Sequence, residues 1–110
     1  MNKYYNTKVL YDGIKFDSKK EKKRYYELKL LERAKEIKDL ELQVEYELQP
    51  SFKKNGITYR KISYVADFKY FDNKLNKWII EDTKGFKTEV YKIKKKLFEY
   101  KYPDLEIKEI

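Results

Sequence analysis

The chain contains no cysteine and no histidine, and each absence removes a class of chemistry. Without Cys there is no disulfide, no thiolate metal site and no thiol nucleophile. Without His there is neither a Ser-His-Asp triad nor an imidazole-ligated zinc ion. Glycine is scarce: Gly13, Gly56 and Gly85 each stand alone. No Walker A loop or dinucleotide fingerprint can be drawn from them, so no nucleotide cofactor is expected. No apolar run reaches membrane-spanning length, and the N-terminus lacks a signal-peptide pattern. These features predict a cytoplasmic protein with no membrane contact. Any catalysis must rest on carboxylates, lysines and a hard cation held through oxygen.

What is present suits one folded domain spanning residues 1–110. Hydrophobic residues make up 41% and aromatics 17%, including 12 Tyr, which is enough to build a core despite 42% charged residues. Lys and Arg number 27 against 19 Asp and Glu, a formal charge of +8. That excess points to a polyanionic partner, most simply nucleic acid. A compositional bias toward Lys and Tyr would produce the same excess, so charge alone does not decide the matter.

The order of elements follows from periodicity. Lys8 to Phe16 reads as a β-hairpin turning at Asp12-Gly13. Ser18 to Glu21 has the spacing of a capping box. Behind it, Tyr25, Leu28 and Leu31, together with Leu30, Ala34 and Ile37, predict a helix running to Lys38-Asp39. Leu42, Val44, Tyr46 and Leu48 alternate with polar residues and predict a strand with those four on one face. Asn55-Gly56 marks a turn, and a second strand is strongest over Ile62 to Tyr70. Trp78 to Lys84 reads as a central strand. Thr88 predicts the cap of a second helix with Val90, Ile93, Leu97 and Tyr100 as its buried stripe. Leu105, Ile107 and Ile110 mark a last strand. A sheet with helices packed on it is the natural solution for this order.

Chemistry concentrates in two places. Trp78-Ile79-Ile80 runs straight into Glu81-Asp82-Thr83-Lys84. Alternation puts Asp82 and Lys84 on one face, roughly 7 Å apart, and Glu81 on the other. Charges at the end of a core strand are costly without a partner or a metal. In Tyr64-Val65-Ala66-Asp67-Phe68 a single carboxylate interrupts an apolar strand. If the two strands are antiparallel neighbours, Asp67 can face Asp82 across the ladder. Two carboxylates converging with backbone oxygen suit hydrated Mg²⁺, which activates water and offsets charge during phosphodiester displacement. Lys84 could orient the attacking water. The plainer alternative is a structural Asp67–Lys84 ion pair with Asp82 solvated.

Asp67 followed by Asp82-Thr83-Lys84 resembles the split signature of the PD-(D/E)XK nuclease superfamily. Most of the chain further resembles a small phage and prophage family within it, formerly of unknown function. The similar stretches are Phe16 to Glu21 with Arg24-Tyr25, Leu48-Gln49-Pro50, Tyr64 to Phe68, Glu81 to Gly85, Thr88 with Tyr91, and Lys95 to Phe98. Ala66 departs from the Pro often found before the first Asp. The resemblance implies a restriction-endonuclease-like αβββαβ core, an α/β (α+β) fold with a mixed sheet flanked by two helices. It also implies Mg²⁺- or Mn²⁺-dependent endonuclease activity on DNA and kinship with Holliday-junction resolvases. In resolvase-like members a first-helix Glu completes the metal site, a role Glu21 could take. Glu21 could instead be the second half of the capping box, and the two roles would compete for one carboxylate. Glu81 is an alternate ligand.

Lys19, Lys20 and Arg24 in the first helix, and Lys87, Thr88, Tyr91, Lys92 and Lys95 around the second, are candidate contacts to DNA phosphates. Singly, each is better explained as a solvated or packing residue; the set as a whole favours DNA contact. Symmetric cutting of a junction would require a two-fold homodimer. The rivals to a nuclease are an inactive nucleic-acid-binding module on the same fold, and a phage protein that binds a host protein.

Overall fold

The computed structural model describes residues 9–83 and 86–110. β1 (Val9–Tyr11) and β2 (Ile14–Phe16) form a hairpin, and α1 (Lys19–Arg33) follows. Next come β3 (Ile37–Gln49), β4 (Phe52–Lys54), β5 (Ile57–Tyr59), β6 (Ile62–Asp72) and β7 (Lys77–Asp82). α2 (Glu89–Lys101) and β8 (Ile107–Glu109) complete the chain. The main sheet has the order β3-β6-β7-β8, with β8 parallel to β7 and the other pairs antiparallel. This is the expected mixed sheet with two helices. β4 and β5 form a separate two-stranded ribbon.

Both tight turns carry the expected chemistry. Asp12 and Gly13 have φ of 56° and 76°, and Asn55 and Gly56 have φ of 52° and 76°. Two successive positive φ values match the twist of the flanking strands, and Asn, Asp and Gly tolerate them best. Asp12 also accepts a 2.9 Å hydrogen bond from the Tyr25 hydroxyl, tying the first hairpin to α1.

Two apolar clusters cover the sheet. Phe16, Tyr25, Leu28, Ile37, Phe68 and Tyr70 form the α1 cluster. Tyr64, Ala66, Ile80, Tyr91, Phe98 and Ile107 form the α2 cluster. Ile79 packs with the first and Ile80 belongs to the second, as alternation along β7 requires.

β3 and β6 break that rule. Phe68 and Tyr70 serve α1, whereas Tyr64 and Ala66, of the same parity, serve α2. Leu40 and Leu42 likewise pack on the first cluster, and Tyr46 and Leu48 on the second. Both strands therefore turn over between these pairs. The register passes from Leu42–Phe68 to Val44–Ala66, so Gln43 stands opposite Asp67 at the turnover. Gln43 has φ of 53°, in the left-handed region. The expectation that Leu42, Val44, Tyr46 and Leu48 share one face is thereby corrected.

Two helical expectations are also corrected. α1 ends at Arg33, not at Lys38-Asp39, because Lys35 takes φ of 62° and Ile37 pairs with Asp72 in β3. Of its two apolar stripes, the one with Tyr25 and Leu28 is buried, while Leu30 is exposed. On α2 the buried side is Tyr91 and Phe98. Val90, Ile93, Leu97 and Tyr100 are 62%, 57%, 39% and 88% exposed. Aromatic bulk decides the choice. Phe98 packs edge-on against Tyr46 and Tyr64, and no aliphatic residue on the other stripe could fill that space.

Candidate functional site

β6 and β7 run antiparallel with Phe68 opposite Glu81, so Asp67, at the middle of β6, lies beside Asp82 and Thr83 at the C-terminal end of β7. Asp67 Oδ2 accepts hydrogen bonds of 2.8 Å from both the backbone N–H and the hydroxyl of Thr83. Its Oδ1 lies 3.4 Å from Gln43 Nε2, which also donates to Glu21 Oε2 at 3.0 Å. The turnover at Gln43 thus links the carboxylates of β6 and α1.

Glu21 is buried at 3% exposure, yet it also takes part in the helix cap. Ser18 Oγ accepts the Glu21 N–H at 3.1 Å, while Glu21 Oε1 accepts the Asp17 N–H at 2.9 Å. The capping role is thus met by one oxygen, while the other turns toward Gln43 and Asp67. Burial, followed by its hydrogen bond to Asp67, pushes the Glu21 carboxyl up to about 7.

Asp82 is fully buried and accepts a 2.6 Å hydrogen bond from the Tyr64 hydroxyl. Burial and this bond raise the Tyr64 hydroxyl far above its ordinary value. The Tyr91 hydroxyl is raised too, first by burial, then by Glu109, and further by the charges of Asp82 and Asp67. Both aspartates thus act on the same two phenols. A cleft of about 330 Å³ opens beside these phenols, lined by Tyr64, Phe86, Thr88, Tyr91 and Lys94 among others.

The donor set of Glu21, Asp67 and Asp82 is all oxygen, as a hard divalent cation requires. The raised Glu21 carboxyl fits that role, because a bound cation would offset the burial that chiefly holds its proton, and with it the lesser repulsion from Asp67. Among the described residues, no three acidic side chains already stand close enough to form a complete cation site. Lys84, the expected partner of the nucleophile, lies outside the described residues.

Glu81 points away from Asp82, as alternation predicted, but its role is different from the ligand role considered for it. It is fully buried on the α1 face. Arg24 grips it through Nε at 2.7 Å and Nη2 at 2.6 Å, and Tyr70 donates to the same carboxylate. Arg24 Nη1 also holds Glu27 at 3.0 Å. The guanidinium is thus held within the protein by Glu81 and Glu27, where the sequence reading looked for a phosphate contact. Its positive form is strongly favoured, chiefly by the Glu81 hydrogen bonds.

The other basic candidates separate by location. Lys19 borders a groove of about 540 Å³ with Tyr11, Lys22, Lys23 and Tyr26, and Lys20 is exposed. Thr88 caps α2 by accepting the Tyr91 N–H at 3.0 Å. Lys87 and Lys95 pair with Glu109 at 3.2 Å and 3.5 Å, and the Tyr91 hydroxyl donates to the same residue at 2.7 Å. These contacts, Tyr91 first, lower the Glu109 carboxyl below its ordinary range. Lys92 pairs with Glu89 at 3.4 Å. Glu109 and Gln43 both escaped the sequence reading. A polar residue inside a strand carries no local sign of a partner on a distant element.

No helix among the described residues is long and apolar enough to cross a membrane. No curated protein and no solved structure matches the chain. The family model described as "Protein of unknown function (DUF1064)" matches residues 1–110, and the chain belongs to that family.

Proposed function

We propose that the protein is a metal-dependent endonuclease of the PD-(D/E)XK type, acting on duplex or branched DNA in the cytoplasm of a phage-bearing bacterial host. One observation carries the reading. Carboxylates from three separate elements are linked in a strongly basic chain: Glu21 of α1 and Asp67 of β6 share Gln43, and Asp67 lies across the β6–β7 ladder from Asp82. Burying acids together is unfavourable unless a cation repays it. Asp67, Asp82 and Glu21 would hold Mg²⁺ or Mn²⁺, which when bound supplies Lewis-acid activation of water and offsets charge on the phosphate.

The chain's own residues do the remaining work. Tyr64 and Thr83 fix the rotamers of Asp82 and Asp67 by donating to one oxygen of each. Gln43 sets the spacing between Asp67 and Glu21. Lys84, two positions beyond Asp82, would orient the attacking water. Lysines such as Lys19 and Lys20 would hold the phosphate backbone without reading sequence.

The second reading is a DNA-binding domain on the same fold that does not cut. It draws on the hydrogen bonds that already engage Asp67 and Asp82. Linear, single-stranded and four-way-junction DNA incubated with Mg²⁺, Mn²⁺ or EDTA separates the two. Cutting that needs metal and falls to background in Asp82→Asn supports the nuclease. Salt-sensitive binding with no cutting under any condition supports the second reading.

A further inference from the structure

Every residue from Gln49 to Ile62 is exposed, yet the segment is a regular ribbon rather than a loose loop. β4 and β5 pair Phe52 with Tyr59, Lys53 with Thr58 and Lys54 with Ile57, closed by the Asn55-Gly56 turn. One face therefore presents Phe52, Ile57 and Tyr59, which are 43%, 55% and 44% exposed. The Phe52 and Tyr59 rings are stacked, with centroids 4.8 Å apart and planes 11° apart. No acidic residue occurs between Glu47 and Asp67, whereas Lys53, Lys54, Arg60 and Lys61 do. Of these four, only Lys61 has an ion-pair partner among the described residues, Glu45 at 3.1 Å.

The ribbon leaves the main sheet at the Gln49–Ile62 end, the end toward which β7 runs to Asp82. It is rooted at Gln49 and Ile62, and Asp67 lies along β6 at roughly 16 Å from that root, at about 3.3 Å per residue. The tip reaches about 10 Å further. DNA lying along this direction would meet the ribbon roughly 5 to 8 nucleotides from a phosphate at Asp67, at about 3.4 Å per nucleotide.

We propose that the β4–β5 ribbon is a DNA-binding arm. The Phe52–Tyr59 stack receives unpaired bases of a single-stranded or branched substrate, and Lys53, Lys54 and Arg60 contact the flanking phosphates. The proposal rests on the DNA-acting reading above and names the form of DNA. Its argument is chemical. Aromatic rings set among unpaired cations match single-stranded nucleic acid, whose bases expose flat faces. An intact duplex hides those faces within its own stack. The same arm of a second copy is a poorer occupant, because each arm carries cations and no acid, so pairing the two would set cation against cation.

The test measures binding of the full chain in EDTA to a single strand, a blunt duplex and a four-way junction over a range of salt. Phe52→Ser with Tyr59→Ser should weaken binding to the single strand and the junction about tenfold or more. Duplex affinity should stay within about twofold. Lys53→Gln, Lys54→Gln and Arg60→Gln together should flatten the salt dependence on the single strand by about 2, from about 0.7 per cation. Because the arm lies outside both clusters, melting temperatures should match the parent within about 2 °C. Unchanged single-strand affinity in the aromatic variant, an equal loss on duplex, or a fall in solution mass would overturn the arm. A parent that cuts duplex in Mg²⁺ but ignores single strands sinks the arm alone. A parent that neither binds nor cuts any DNA sinks both readings.

Discussion

Glu21 uses its two oxygens differently, and that division has a measurable effect. One oxygen accepts the Asp17 N–H, and the other faces Gln43 and, beyond it, Asp67. The folded chain holds the Glu21 proton to about 7 against an ordinary 4.5. It therefore binds that proton more tightly than the unfolded chain does. The resulting stabilisation is complete below about 4.5 and is lost as pH rises through about 7. Urea unfolding in EDTA should show a loss on the order of 2 kcal/mol across this window, and Glu21→Gln should remove most of it. An unchanged pH slope in Glu21→Gln would rule this out. Arg24 makes a second prediction. Arg24→Ala leaves Glu81 buried without its cation and should cost about 3–5 kcal/mol in the absence of any DNA. A denaturation midpoint equal to the parent's would return Arg24 to the role of surface phosphate contact. Asp67 and Asp82 could be picked out from sequence because each is an acid set in an apolar strand. The Arg24–Glu81 pair could not, since its members lie 57 positions apart and look like ordinary charges locally.

At the scale of elements, the turnover in β3 and β6 is the feature that builds the site. If both strands alternated regularly, Tyr64 and Phe68 would share a face, and α1 and α2 would compete for one set of residues. The left-handed Gln43 allows Tyr64 to reach Asp82 on one side while Phe68 and Tyr70 fill the other. A non-glycine residue held there stores roughly 1 kcal/mol of strain. Gln43→Gly should therefore leave stability within about 1 kcal/mol of the parent, since relief of strain offsets the lost amide contacts. Gln43→Val should cost about 2 kcal/mol or more, because a β-branched residue resists positive φ. Equal midpoints for the two variants would show that the backbone there is unstrained. Periodicity reads such strands only in part. It located β3 and β6 and both hairpin turns, because alternation and Asn-Gly or Asp-Gly chemistry are local. It could not show a face change, because the apolar residues keep their parity straight through it. The same limit misplaced α2: two apolar stripes fit a helical period, and only the aromatic packing of Phe98 chooses between them.

The stripe left outside becomes significant for the whole molecule. Val90, Ile93, Leu97 and Tyr100 form one exposed apolar face along α2. The face is self-complementary. In an antiparallel pairing of two copies, Val90 meets Tyr100 and Ile93 meets Leu97, while Glu89 falls near the end that carries Lys101. Such pairing is isologous and closes as a two-fold dimer. It would bring two carboxylate sites into one particle, as the proposed nuclease would need in order to cut a four-way junction symmetrically. Sedimentation should thus find a dimer for the parent at micromolar concentration. Ile93→Lys with Tyr100→Lys should give a folded monomer, because both positions face solvent in the single chain, with a melting temperature that no longer depends on protein concentration. Under the proposed nuclease reading, that monomer should still nick DNA with Mg²⁺ but lose coordinated cutting of both junction strands. A parent that stays monomeric at every concentration, or a lysine variant that keeps the parent's mass, would exclude α2 as the dimer face and leave the proposed Asp67–Asp82 site to be tested as a single copy.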